Sequence, residues 1–195
     1  PALLILSSGL LTAQSPNQPT IKPVTSVNTG GGVVFEENKN QWPAQVMYMA
    51  DAGGGIRLFM ERGRFTYVKH DEKQLEDIHE EKHGIDADHS KHKTDDKINL
   101  HAFRVNFTGS NPFSKPEGSE KQSWYRNYFI GSDQSKWASE VGIYNHVTYN
   151  DFYAGINLDA YDNKGYFKYD FVVKPGADAS VITLSFEGVE GLSVI

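Results

Sequence analysis

His79-Glu80-Glu81-Lys82-His83 spells H-E-x-x-H, a residue set and spacing that can do metal chemistry. On a helix, residues four apart share a face. Both imidazoles could then grip one zinc ion while Glu80 acts as general base on a zinc-bound water. His89 follows six residues after His83, where the longer pattern H-E-x-x-H-x-x-G-x-x-H places a third ligand. The surroundings argue the other way. Asp86 stands where that pattern has glycine, and Met47, Met49 and Met60 all lie upstream, leaving no methionine turn after the histidines. A catalytic zinc helix must be docked rigidly with a fixed outer shell. Here only Leu75, Ile78, Ile85 and Ala87 could dock it, among Glu, Asp and Lys. The expectation is a solvated loop between two strands. Adventitious or regulatory metal binding by His79, His83 and His89, and a zinc metallopeptidase, are the alternatives.

The second chemical candidate is aromatic. Trp124, Tyr125, Tyr128, Phe129 and Trp137 crowd one stretch. Exposed, they would form a stacking platform for sugar rings, with Trp124, Tyr125 and Trp137 as ligand-binding residues. Buried, they are core anchors, and burial is the favoured reading for a β domain of this size. Asp159, Asp162, Asn163 and Asp170 carry oxygen donors suited to calcium, but turn chemistry and a polar outer face account for them more simply. Asp86, Asp88, Asp95 and Asp96 are a similar weak case. The glycine triplets at 30–32 and 53–55 have no following Lys-Ser/Thr pair and read as turns. No serine sits in a G-x-S-x-G elbow, and cysteine is absent, which removes thiolate ligands, cysteine nucleophiles and disulfides. The expectation is a protein that is not an enzyme and needs no cofactor.

The elements that would position these residues are strands. Hydrophobic residues make up 38% and aromatics 12% of the 195 residues, enough for one real core. The net charge of −6 argues against nucleic acid and against an anionic membrane surface. Residues 2–11 (ALLILSSGLL), followed by Thr12-Ala13-Gln14, resemble the apolar region and cleavage zone of a secretory signal, so residues 1–13 read as a signal-peptide remnant. The run is too short to span a bilayer, and no membrane insertion is expected once it is removed. Residues 14–32, rich in Pro, Ser, Thr, Asn and Gly, read as a flexible leader.

From Val33 onward, short alternating runs dominate. Residues 46–69 read as a three-strand meander, with the DAGGG stretch at 51–55 and Glu61-Arg62-Gly63 as its turns. Residues 102–108 place Phe103, Val105 and Phe107 on one face and Arg104, Asn106 and Thr108 on the other. Residues 143–149 are rich in β-formers. Residues 155–174 form a hairpin turning at Asp162-Asn163-Lys164-Gly165, where Asn163 and Gly165 are able to take positive φ. Ile182, Leu184 and Phe186 mark a further strand, and residues 192–195 read as the start of another, as in a longer polypeptide. Helix signals are limited to a turn near 132–139 and a charged segment at 73–83. The fold expected is all-β, a two-sheet sandwich-like domain over residues 33–195, with a charged His-rich insertion at 69–97.

Several phrases occur in an ordered series: Phe35-Glu36-Glu37-Asn38-Lys39-Asn40-Gln41-Trp42; Asn127-Tyr128-Phe129-Ile130-Gly131-Ser132-Asp133 with Lys136-Trp137; Tyr153-Ala154-Gly155-Ile156-Asn157-Leu158; and Lys168-Tyr169-Asp170-Phe171 running to Asp178. The series resembles an uncharacterised N-terminal domain of secreted Bacteroidota surface proteins, which precedes SBBP repeats, immunoglobulin-like modules and a gliding-motility-associated sorting region. Asn40 replaces that pattern's glycine, and Asn also tolerates positive φ. The resemblance implies export by the type IX pathway, a place at the cell surface or outside the cell, and no transferable catalytic residue. The function expected is a structural or interaction module of a multidomain surface protein, concerned with adhesion or gliding. Its partners would be other domains of the same chain and surface glycans or proteins. A glycan- or ligand-binding module is the alternative.

Overall fold

The computed structural model of the chain describes residues 32–76 and 98–193. Among them run ten strands: β1 (Phe35–Glu37), β2 (Val46–Asp51), β3 (Ile56–Glu61), β4 (Arg64–His70), β5 (Leu100–Thr108), β6 (Pro116–Tyr128), β7 (Ala138–Tyr153), β8 (Ile156–Asn163), β9 (Tyr166–Val173) and β10 (Thr183–Glu187). Two single 3-10 turns, Gln134–Lys136 and Ala179–Val181, punctuate them. The protein is all-β, and every pairing is antiparallel.

The strand order is β10-β5-β4-β3-β2-β1-β7-β8-β9, with β6 on the other flank of β7. The separate sheets of the expected sandwich are therefore joined. The hinge is three-residue β1, where Phe35 lies opposite both Ala50 of β2 and Tyr144 of β7. Alternating hydrophobicity shows which face of a strand is dry; it does not say which strand lies beside it. One continuous sheet curls into a half-barrel and buries its concave face against itself.

That face is aromatic. Phe65 of β4 meets Phe107 edge-on at 4.9 Å, Tyr149 at 6.1 Å and Tyr169 at 5.7 Å, so one ring touches both limbs of the curl. Phe107 reaches Phe152 at 5.1 Å and Phe171 at 6.1 Å. Leu58, Met60, Val147, Ile156, Leu158 and Ala160 fill the space between them, fully buried. Tyr149 is buried whole, and its hydroxyl is satisfied by donating to the Glu61 carbonyl at 2.9 Å.

The meander, β5, β7, the β8–β9 hairpin and β10 lie where the sequence places them. The turn is displaced by one residue: Lys164 (φ 57) and Gly165 (φ 87) occupy the left-handed region, and Asn163 ends β8 opposite Tyr166. Strands β1 and β6 are additions to the expected set. In place of the insertion's beginning at residue 69, β4 continues to His70. Residues 72–76 then form a helical turn, and Asn99 N–H donates to Gln74 Oε1 at 2.8 Å, tying the approach to β5.

Candidate functional site

Beyond Gly142, β6 and β7 leave the sheet as a two-stranded ribbon, with Tyr125 opposite Gly142, Arg126 opposite Val141 and Tyr128 opposite Ala138. A register shift between Lys121 and Tyr125 places Trp124 in an irregular stretch of β6. Asn127 braces the ribbon by accepting the Glu140 N–H at 2.9 Å. At the ribbon's end, Asp133 caps the 3-10 turn by accepting the Ser135 N–H at 3.1 Å. Trp137 Nε1 donates to the Gly131 carbonyl at 3.2 Å.

The ribbon is clamped to the convex face of the sheet. Trp42 packs edge-on against Tyr128 at 5.6 Å and against Phe59 of β3 at 6.2 Å. Asn38 shapes the loop carrying Trp42: its amide donates to the Val46 carbonyl at 2.8 Å, and its Oδ1 accepts the Asn40 N–H at 3.0 Å. Asn40 takes φ 83, a conformation that asparagine, like the glycine it replaces, tolerates. Beneath the clamp lies Glu36, 2% exposed, whose carboxylate accepts from Arg126 Nη1 and from the Tyr128 hydroxyl. Burial pushes the Glu36 carboxyl above its ordinary range, while the Tyr128 hydroxyl and the Arg126 guanidinium pull it back. Burial likewise lowers the neighbouring Arg57, against the pull of Asp51.

Tyr128 is buried, but its companions are not: Trp124 is 43% exposed, Tyr125 55%, Phe129 59% and Trp137 38%. The favoured expectation of burial therefore fails for Trp124, Tyr125 and Trp137. The ribbon has only one clamped face: Tyr128 is buried there, while Ser123, Trp124 and Tyr125, consecutive in the irregular stretch of β6, all turn to solvent. Phe129 and Trp137 rest edge-on at 5.6 Å, and the Arg126 guanidinium lies 5.7 Å from the Trp124 ring. The arrangement presents apolar rings to water on a support braced by hydrogen bonds and ring contacts. It can stack against flat apolar faces of a ligand.

His79, His83 and His89 lie outside the described residues, as do Asp86, Asp88, Asp95 and Asp96. On the β8–β9 hairpin Asp162 and Asp170 serve the fold, while Asp159 Oδ1 is buried with no hydrogen-bond partner among the described residues. Asp162 accepts the Val33 N–H at 2.8 Å and the Gly165 N–H at 3.0 Å, and Asp170 accepts from the Tyr161 hydroxyl at 2.5 Å. A recess of about 570 Å³ opens beside Val33, Glu120, Asn145, His146, Tyr161 and Asp162. The ion cluster under the ribbon is not legible in the sequence. Its only signal there was a pair of glutamates in a strand of three residues.

A family model described as a domain of unknown function (DUF7948) matches residues 35–195. No curated protein and no solved structure matches the chain.

Proposed function

From the premise that this chain belongs to the DUF7948 family of domains of unknown function, we propose that it is a non-catalytic interaction module of a secreted or cell-surface multidomain bacterial protein. The observation that carries this reading is the exposure of Trp124, Tyr125, Phe129 and Trp137 on a ribbon braced by Glu36, Arg126 and Tyr128. Exposed large rings cost solubility, and clustered ones mark contact surfaces. Export is supported by the apolar run at residues 2–11, and the surface setting by the resemblance to secreted Bacteroidota domains. The curled sheet closes on an aromatic core, which gives the ribbon a packed support.

A glycan is the ligand class that the ring geometry favours. Indole and phenol faces stack on the apolar faces of sugar rings, while the net charge of −6 disfavours anionic polymers. Titration of the chain with neutral polysaccharides, followed by tryptophan emission and acrylamide quenching, tests this. Two of the three tryptophans, Trp124 and Trp137, are exposed enough to report. The expected outcome is a saturable change that protects them from quencher, lost in Trp124→Ala and Trp137→Ala with thermal unfolding unaltered. No response to any polysaccharide would sink the glycan reading. A response retained in both variants would remove the ribbon from it.

A further inference from the structure

We propose that a second copy of this chain docks on the free edge of β9, forming an antiparallel two-fold β9–β9 pair centred on Tyr169. Among the described strands, β9 pairs with β8 alone, leaving one side of an eight-residue strand open. The other open edges are better protected. On β6, register shifts, Pro116 and a positive φ at Glu120 break the edge, and the Gly118 N–H is already donated to the Tyr48 hydroxyl at 2.9 Å. Strand β10 has only five residues. By contrast β9 pairs with β8 without a register shift, and it contains no proline. A long, regular, unprotected edge is a template for another strand.

Two independent features select the occupant and the register. The first is backbone parity. Lys174 N–H donates to the Gly155 carbonyl at 3.0 Å, in register with the β8–β9 ladder. Hydrogen-bonded pairs alternate along an antiparallel ladder, so Tyr166, Lys168, Asp170 and Val172 turn their N–H and C=O groups to β8. Phe167, Tyr169 and Phe171 turn theirs outward. A self-pairing centred on Tyr169 brings outward groups opposite outward groups: Tyr169 against its copy, and Phe167 against the copy's Phe171.

The second feature is charge. The segment Phe167-Lys168-Tyr169-Asp170-Phe171 has the same shape read in either direction, with opposite charges about its centre. The two-fold pairing places Lys168 opposite the copy's Asp170, and Asp170 opposite the copy's Lys168. The neighbouring two-fold registers allowed by parity centre on Lys168 or on Asp170, and set like charge against like. Direct opposition of like charges is destabilising and of unlike charges favourable. Both side chains are available: Lys168 is exposed and Asp170 partly so, in a pair at 3.2 Å. Val172 and Val173 are exposed beside them.

Sedimentation velocity over a concentration series tests the pairing on the whole chain. Wild type should associate to a dimer. Lys168→Glu and Asp170→Lys should each weaken the dimer by roughly tenfold or more. An equimolar mixture of the two should associate again, because position 168 of the first variant and position 170 of the second then face each other with opposite charges. The double variant should behave like wild type. Regain on mixing cannot come from repair of the Lys168–Asp170 pair within one chain. In wild type, amide exchange at Phe167, Tyr169 and Phe171 should slow as concentration rises, a readout that needs no variant. A chain that stays monomeric throughout overturns the proposal. So does association that ignores the charge swaps, or slowed exchange confined to another edge. None of these outcomes bears on the aromatic ribbon, which is a different surface.

Discussion

Arg126 holds the ribbon through Glu36, and its removal has a signed pH dependence. The native pKa of Glu36 is raised above the ordinary 4.5, chiefly by burial. Its contribution to stability is therefore complete below the unfolded value and is lost as pH rises through the native one. Arg126 opposes that rise. Without it the carboxyl is pushed further up, and more is lost at neutral pH. Arg126→Met is expected to cost about 3 kcal/mol near neutrality, since it takes the paired cation from a buried carboxylate and leaves it only the Tyr128 hydroxyl. The deficit should narrow as pH falls towards 4.5. Urea unfolding across that range checks it, and a pH-independent deficit would contradict the account. At this scale the sequence was readable where a residue's own backbone chemistry decides, as at Asn40. It was unreadable at Glu36, because burial of a glutamate depends on Arg126 and Tyr128, 90 and 92 positions away.

The β8–β9 hairpin shows what an element reveals. Alternation over Ile156, Leu158 and Ala160 and over Phe167, Tyr169, Phe171 and Val173 defines both strands and their inner faces, and only Val173, at the end of β9, is exposed instead. The turn residues were misplaced by one because Asp162, Asn163 and Gly165 are all good turn formers. The choice falls to register: Asn163 pairs with Tyr166, leaving Lys164 and Gly165 as a two-residue loop with both φ positive. A lysine there is strained, and asparagine less so. Lys164→Asn is expected to stabilise by about 1 kcal/mol, raising the melting temperature by about 3 °C, measurable by calorimetry. A lowered melting temperature would mean the turn is of another type. Strand β6 is not legible in the sequence for the opposite reason. Its sequence PEGSEKQSWYRNY does not alternate, because it lies on an edge with most residues exposed. Where nothing is buried on a regular period, no period is written.

Across the molecule, Phe65 joins the two limbs of the curled sheet, touching Phe107 on one side and Tyr149, Phe167 and Tyr169 on the other. Truncation leaves a cavity between limbs that cannot collapse independently. Phe65→Ala is expected to cost about 4 kcal/mol, with one cooperative transition. Far-UV dichroism and the emission of Trp42, packed on the convex face, should be lost together. Two separated transitions would show that the limbs are independent sheets. The all-β class, the strands of the meander and the terminal hairpin were determined by the sequence alone, because hydrophobic period and turn chemistry act within a few residues. The joining of the strands through β1, the burial of Glu36 and the turning of Trp124, Tyr125 and Trp137 to water were decided only in the tertiary structure. Each depends on which distant segment comes to lie alongside, and a local pattern carries no record of that.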